Sequence, residues 1–296
     1  MKFGICLPNF GNNLSREILV ASAVEAEKLG YDSVWTTDHM TIGAAHPYPY
    51  GKILESLTTL SFIAAKTETI GLGTSVVVMP LRPTLLTAKQ LATIDFLSGG
   101  RLTVGVGAGW EPTEFRAFGV DFRKRGKLLE EQVRLLRVLW SSERPVFEGV
   151  YHRVRDVIFS PLPLQPGGPK ILIGGNTEKA VRRALALGDG WHFTGIPLDE
   201  LEERMALIRS SGRSGFVVSG RLTVKLDPKA RSEETRAGSG ERRYVVGGGP
   251  SEVAEGLSRY ARMGVEHVAV YLGDHPLEKL LAKMREFVRD VVPSVG

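Results

Sequence analysis

The sequence predicts a (β/α)8 TIM barrel, an α/β fold of eight parallel strands each followed by a helix, and three observations carry that prediction. Short runs rich in β-branched residues alternate with longer segments of helical period about eight times along the 296 residues. Eight βα pairs in a chain of this length fit one closed barrel better than an open doubly wound sheet, which rarely uses so many strands. The composition, 43% hydrophobic and 24% charged, is that of an ordinary globular protein able to bury a large core.

The strands are expected near 2–8, 32–38, 70–78, 102–108, 170–174, 190–194, 215–225 and 266–272. The helices are expected near 15–30, 54–67, 84–98, 126–140, 177–188, 198–210, 251–264 and 276–290, and the whole chain, 1–296, reads as one barrel domain. The first strand is the apolar run Phe3-Gly4-Ile5-Cys6-Leu7. The second ends in Trp35-Thr36-Thr37-Asp38-His39, which puts a histidine at the strand-end face where barrel chemistry sits. In the third, Gly71 and Gly73 mark a bulge or a close backbone approach. In the fourth, Gly105, Gly107 and Gly109 strip one face of side chains, so that this face would admit a flat ring. A hairpin insertion at about 145–169 turns at Glu148-Gly149 and continues into a proline-rich run. The fifth strand runs into Gly174-Gly175-Asn176-Thr177 and straight into a helix. Glycines permit backbone approach there, and unpaired helix N–H groups favour an anion, so the junction is a candidate phosphate cradle. The segment at about 227–243 has few apolar residues and is expected to be a mobile loop, either a lid or slack.

Several function classes are excluded. The net charge of +5 is spread over helical faces without a basic block, so a nucleic-acid partner is not expected. Cys6 is the sole cysteine, which rules out an internal disulfide and fits a reducing cytoplasm. No run approaches the ~18 apolar residues of a membrane span, and no secretory leader is expected. No HExxH or CxxC pair occurs and the histidines lack ligand spacing, so no metal site is expected. The strand-four glycines do not spell the dinucleotide fingerprint, and no Walker A or GxSxG sequence is present.

Taken together, Val34 to His39, Gly73-Thr74-Ser75-Val76, Arg101 to Trp110 with Glu114-Phe115, Phe147 to Tyr151, Pro161 to Pro166, Gly174-Gly175-Asn176 and Gly188-Asp189-Gly190-Trp191 resemble the luciferase-like monooxygenase superfamily. The resemblance spans nearly the whole chain. The pairing of Asp38-His39 with Gly107-Ala108-Gly109-Trp110 is most similar to its branch dependent on the deazaflavin coenzyme F420.

The resemblance implies an oxidoreductase that transfers a hydride between F420 and a small organic substrate. It implies that Asp38, Thr74, Ser75, Val76, Gly107 and Ala108 lie against the ring, and that Gly174, Gly175, Asn176 and Thr194 lie on the phosphate side. It further implies a cis peptide at Ser75-Val76, with His39 as the catalytic residue beside the hydride-transferring carbon. Asn9, Trp35 and Trp110 are expected to line the substrate pocket, although Trp110 also suits a core position. Members that oxidise sugar phosphates carry a glutamate where Trp110 stands and a lysine near Ile196-Pro197, so sugar-phosphate oxidation is not expected. FMN is the alternative cofactor, in a two-component monooxygenase served by a separate reductase. A flavin-binding protein without turnover is the alternative from another class. A homodimer is expected.

Overall fold

The computed structural model describes residues 1–45 and 48–296. Eight parallel strands close into a barrel: β1 (Lys2–Cys6), β2 (Ser33–Thr36), β3 (Gly71–Thr74), β4 (Leu102–Gly107), β5 (Lys170–Gly174), β6 (Gly190–Thr194), β7 (Val217–Leu226) and β8 (His267–Tyr271). Each strand pairs with the next in the chain. The ring closes where β8 returns to β1 through Lys2↔His267 to Ile5↔Val270. Alternation along each strand then sorts the side chains. Ile5, Val34, Leu72, Val104, Ile171 and Phe193 face the helices in one continuous apolar core. Cys6, Trp35, Leu172 and Ala269 form a smaller cluster apart from it, inside the ring.

Local chemistry sets the helix limits. Ser15 caps the helix Arg16–Leu29 by accepting from the Ile18 N–H, and Gly30 ends it at φ 80° in the left-handed region. Thr177 caps the helix Glu178–Leu187 in the same way, accepting from the Ala180 N–H. No helix among the described residues is long and apolar enough to cross a membrane.

Three regions depart from the expected elements. The third strand does not run unbroken to residue 78. It stops at Thr74, the Ser75-Val76 peptide is cis, and Val77–Val78 then pairs separately with β4. An additional helix, Pro112–Ala117, follows β4; its six residues are too few for periodicity to show. The segment 227–243, expected as a loop, contains a strand Glu233–Arg236 that lies antiparallel to Arg242–Gly248, which in turn pairs in parallel with the end of β7. All four residues of Glu233–Arg236 are exposed, so no apolar pattern signals the strand. Backbone pairing and ion pairs hold it, among them Arg242 with Glu234 (2.8 Å) and with Asp199 (2.8 Å). In the insertion, Phe147–Glu148 pairs with Arg153–Val154, and the Glu131 carboxylate accepts the turn's N–H groups from Val150, Tyr151 and His152.

Candidate active site

His39 lies just beyond β2, at the strand-end mouth of the barrel. Its Nδ1 is 3.0 Å from Oε2 of Glu114, and both residues are buried. The other Glu114 oxygen accepts the N–H groups of Met40 (2.6 Å) and Thr41 (3.2 Å), so the carboxylate is anchored to the loop that carries the histidine. With Nδ1–H donating to Glu114, the Nε2 lone pair of the neutral ring is left for other use. Among the described residues the sealed, unpaired side-chain atoms are Arg82 Nε and Gln132 Oε1, so Nε2 keeps access to solvent. Trp110 meets the imidazole edge-on with ring centroids 5.5 Å apart, and Tyr50 lies at 4.8 Å on another side. In the sequence Glu114 stood only within the Glu114-Phe115 motif, unconnected to His39; the extra helix Pro112–Ala117 brings its carboxylate to the imidazole.

Several residues expected at the pocket are committed elsewhere. The Asp38 carboxylate, expected against the cofactor, accepts from the Val78 N–H (2.8 Å) and from Arg82 (2.7 Å), so it braces the backbone after the cis bond. Asn9, expected in the substrate pocket, spends its amide on Thr37 N–H, Thr37 C=O and Leu54 C=O, holding the backbone two residues before His39. Trp35 is not a pocket wall. It is buried inside the ring, stacked on His192 at 5.1 Å, and fills the space left by Gly73, whose substituted Cβ would lie 2.4 Å from the indole. The Thr74 hydroxyl donates to the Gly105 C=O rather than to a ligand. The glycine-stripped face is likewise filled by the protein itself. A Cβ on Gly107 would meet Val76 Cγ2 at 2.6 Å, and one on Gly174 would meet Val76 Cγ1 at 2.9 Å, so these glycines admit Val76 and the cis bulge. Ala108 is partly buried against the core.

Asn176 is buried and bonds both ways to the Thr194 backbone, which ties the ends of β5 and β6 together rather than freeing the amide for a ligand. Gly175 has φ 124°, a conformation that side chains rarely adopt, and Thr177 opens the following helix. Two arginines not singled out in the sequence border this cradle. Arg204 donates to the Asn176 C=O (3.1 Å) and Arg243 to the Thr194 C=O (2.8 Å). Backbone approach, a helix N-terminus and two guanidinium groups fit a phosphate-bearing group.

Arg221, on β7, is a further residue that sequence reasoning missed. It is 7% exposed, donates to the Thr37 hydroxyl (3.0 Å), and lies over the rings of Phe10 and Tyr271 at 5.3 and 5.1 Å. No carboxylate of the described residues pairs with it. A cation buried at the mouth without a counter-ion is costly unless a ligand supplies the negative charge. An open groove of about 740 Å³, lined by Leu14, Leu19, Ile53, Leu54 and Phe62, runs beside the mouth and contains none of these groups.

A closed parallel barrel with a Glu114-anchored histidine, a glycine-and-helix junction and a buried cation at its strand ends has its polar groups where barrel enzymes carry their sites. The chain belongs to the luciferase-like monooxygenase family, which it matches over residues 1–241. It is 31% identical to an F420-dependent glucose-6-phosphate dehydrogenase of Kineococcus radiotolerans, across 92% of this chain and 90% of that protein. It is also 31% identical to an FMNH2-dependent dimethylsulfone monooxygenase of Pseudomonas putida, across 72% of this chain and 58% of that one. Among solved structures, an F420-dependent secondary alcohol dehydrogenase superposes over the full chain and 99% of its own at TM-score 0.82 and 18% identity, which is a likeness of fold. The family thus contains F420-dependent and FMN-dependent members.

Proposed function

We propose that this protein transfers a hydride between F420 and a small organic substrate, with His39 as the residue that gives, takes or hydrogen-bonds a proton at the reacting oxygen. The observation that carries this reading is the Glu114-held imidazole with Nε2 open at the strand-end mouth. The cofactor, when bound, supplies the hydride acceptor or donor. The chain's own residues do the rest. Gly174, Gly175 and Thr194 with Arg204 and Arg243 hold the phosphate side; Ser75-Val76 and Ala108 back the ring; His39, Trp110 and Tyr50 surround the substrate. Arg221 favours a substrate that carries or develops negative charge on oxygen. The similarity to a glucose-6-phosphate dehydrogenase does not bring that substrate with it, because Trp110 and Ile196-Pro197 replace charged residues expected for a sugar phosphate.

FMN is the second reading, supported by the monooxygenase relative, and in that case a separate reductase supplies the reduced flavin. A non-catalytic flavin binder is the third. Equilibrium titration followed by absorbance separates them. F420 is expected to bind more tightly than FMN, and replacing both Arg204 and Arg243 by glutamine is expected to weaken binding roughly tenfold or more, as loss of charged hydrogen bonds to an anion does. Micromolar FMN binding with none of F420 would overturn the first reading; tight binding without turnover would favour the third.

A homodimer is proposed on the exposed apolar residues Leu85, Leu86, Phe96 and Leu97 of the helix Thr84–Leu97, beside exposed Ile158 and Leu164 of the insertion. Lys89 bonds the Ser160 C=O, so the two segments are adjacent. Sedimentation at micromolar concentration is expected to give twice the chain mass of 32.4 kDa. A monomer there removes the proposal.

A further inference from the structure

Beneath the mouth, a file of polar side chains crosses the barrel interior. The Trp35 indole N–H donates to Ser33 Oγ (2.8 Å), which is 2.8 Å from His267 Nε2. His267 Nδ1 is 3.0 Å from Ser219 Oγ, and the same oxygen is 3.0 Å from His192 Nδ1. His192 Nε2 is in turn 2.9 Å from the hydroxyl of Ser75, the first residue of the cis peptide. The site described above uses none of these groups except Ser75.

We propose that this file is a polarised hydrogen-bond relay that fixes the Ser75 hydroxyl as a donor into the mouth, aimed at an acceptor atom of the bound ring.

The polarity follows from counting hydrogens. Burial pushes the His192 pKa down to about 3, helped by repulsion from a protonated His267 and from the Arg221 charge. Burial likewise pushes His267 down to about 4. Both rings are neutral near pH 7, so each has one N–H and one lone pair. Trp35 can only donate. If Ser33 accepts from Trp35 and donates to His267 Nε2, then His267 Nδ1–H donates to Ser219. Ser219 next donates to His192 Nδ1, and His192 Nε2–H donates to Ser75. Every link is satisfied, and the one hydrogen left over is that of Ser75, at the strand-end face. The reverse order places two donors on Ser33 and leaves its own hydrogen without an acceptor among the described residues. Chains aligned in one sense also strengthen one another, which favours the sense that the fixed indole donor sets. Ser219 and the two histidines are therefore positioning residues: they touch no ligand and act through Ser75.

Two parts of the test separate this inference from the cofactor reading on which its ligand half rests. Nitrogen-15 correlation spectra of histidine-labelled, ligand-free protein report each tautomer directly. His192 is expected as the Nε2–H form and His267 as the Nδ1–H form; His192 found as Nδ1–H overturns the relay whatever the cofactor. In titrations with F420 and with FMN, Ser75→Ala is expected to weaken the better-binding cofactor about three- to tenfold, the effect of one hydrogen bond. Ser219→Ala is expected to produce part of that loss and to shift the His192 tautomer while leaving Ser75 in place. Unchanged affinity in Ser75→Ala overturns the donor role. If neither cofactor binds the unsubstituted protein, the cofactor reading and the ligand half fall together, and the tautomers alone decide the relay. The unsubstituted protein gives the tautomer result even where a variant does not fold.

Discussion

His39→Ala is expected to lower the single-turnover rate of cofactor reduction or reoxidation by about 10²- to 10⁴-fold while cofactor affinity changes much less. The geometry behind this is local. Glu114 takes Nδ1 and two loop N–H groups, so the ring is held in one orientation that leaves Nε2 unpaired among the described residues. His39→Gln keeps a hydrogen-bonding group and is expected to recover part of the rate only if hydrogen bonding, not proton exchange, is the role. Glu114→Gln is expected to lie between, because an amide can accept from a loop N–H but presents the imidazole with a weaker partner. If His39 were only a satisfied rim residue, the alanine variant would lose about 1 kcal/mol of stability and keep its rate. Near-normal rates in a folded His39→Ala protein, measured with saturating cofactor, end the catalytic assignment.

Replacing Arg221 by methionine is expected to separate stability from function. The guanidinium is buried against the rings of Phe10 and Tyr271 with the Thr37 hydroxyl as its hydrogen-bond partner and no carboxylate, so an apolar side chain of similar length removes a desolvated charge and costs the fold little or nothing. The same change takes away a buried charge that no carboxylate of the described residues pairs with. It is expected to lower kcat/KM by about 10²-fold or more, the range for truncating a buried charged partner. Benzoate reads the site without turnover: it is expected to raise the Tm of the parent protein and not that of Arg221→Met. Equal stabilisation of both proteins by benzoate, or a variant destabilised by more than about 2 kcal/mol, contradicts the anion role.

The barrel itself was legible in the chain, because β-branched runs and helical periodicity report burial one element at a time, and all eight barrel strands fall where the alternation places them. The position of His39 at the barrel mouth was legible for a related reason: it follows the end of a strand, and that end lies at one face of the barrel. The elements that escaped are those whose order comes from partners distant in sequence. The exposed strand Glu233–Arg236 has no apolar pattern and is held by pairing to Arg242–Gly248. Glu114 reaches His39 across 75 residues and Arg221 reaches Thr37 across 184, so neither relation leaves a local trace. Asn9 and Asp38 are polar residues at strand ends, which in sequence look like pocket groups. Only the tertiary structure shows their oxygens and nitrogens bonded to Thr37, Val78 and Arg82. The division has one physical cause. Residue types and spacing determined which strands and helices form and which ends of them carry chemistry. Which polar group faces the mouth, and which is consumed by the backbone beside it, is decided by hydrogen-bond partners that meet only when the ring closes.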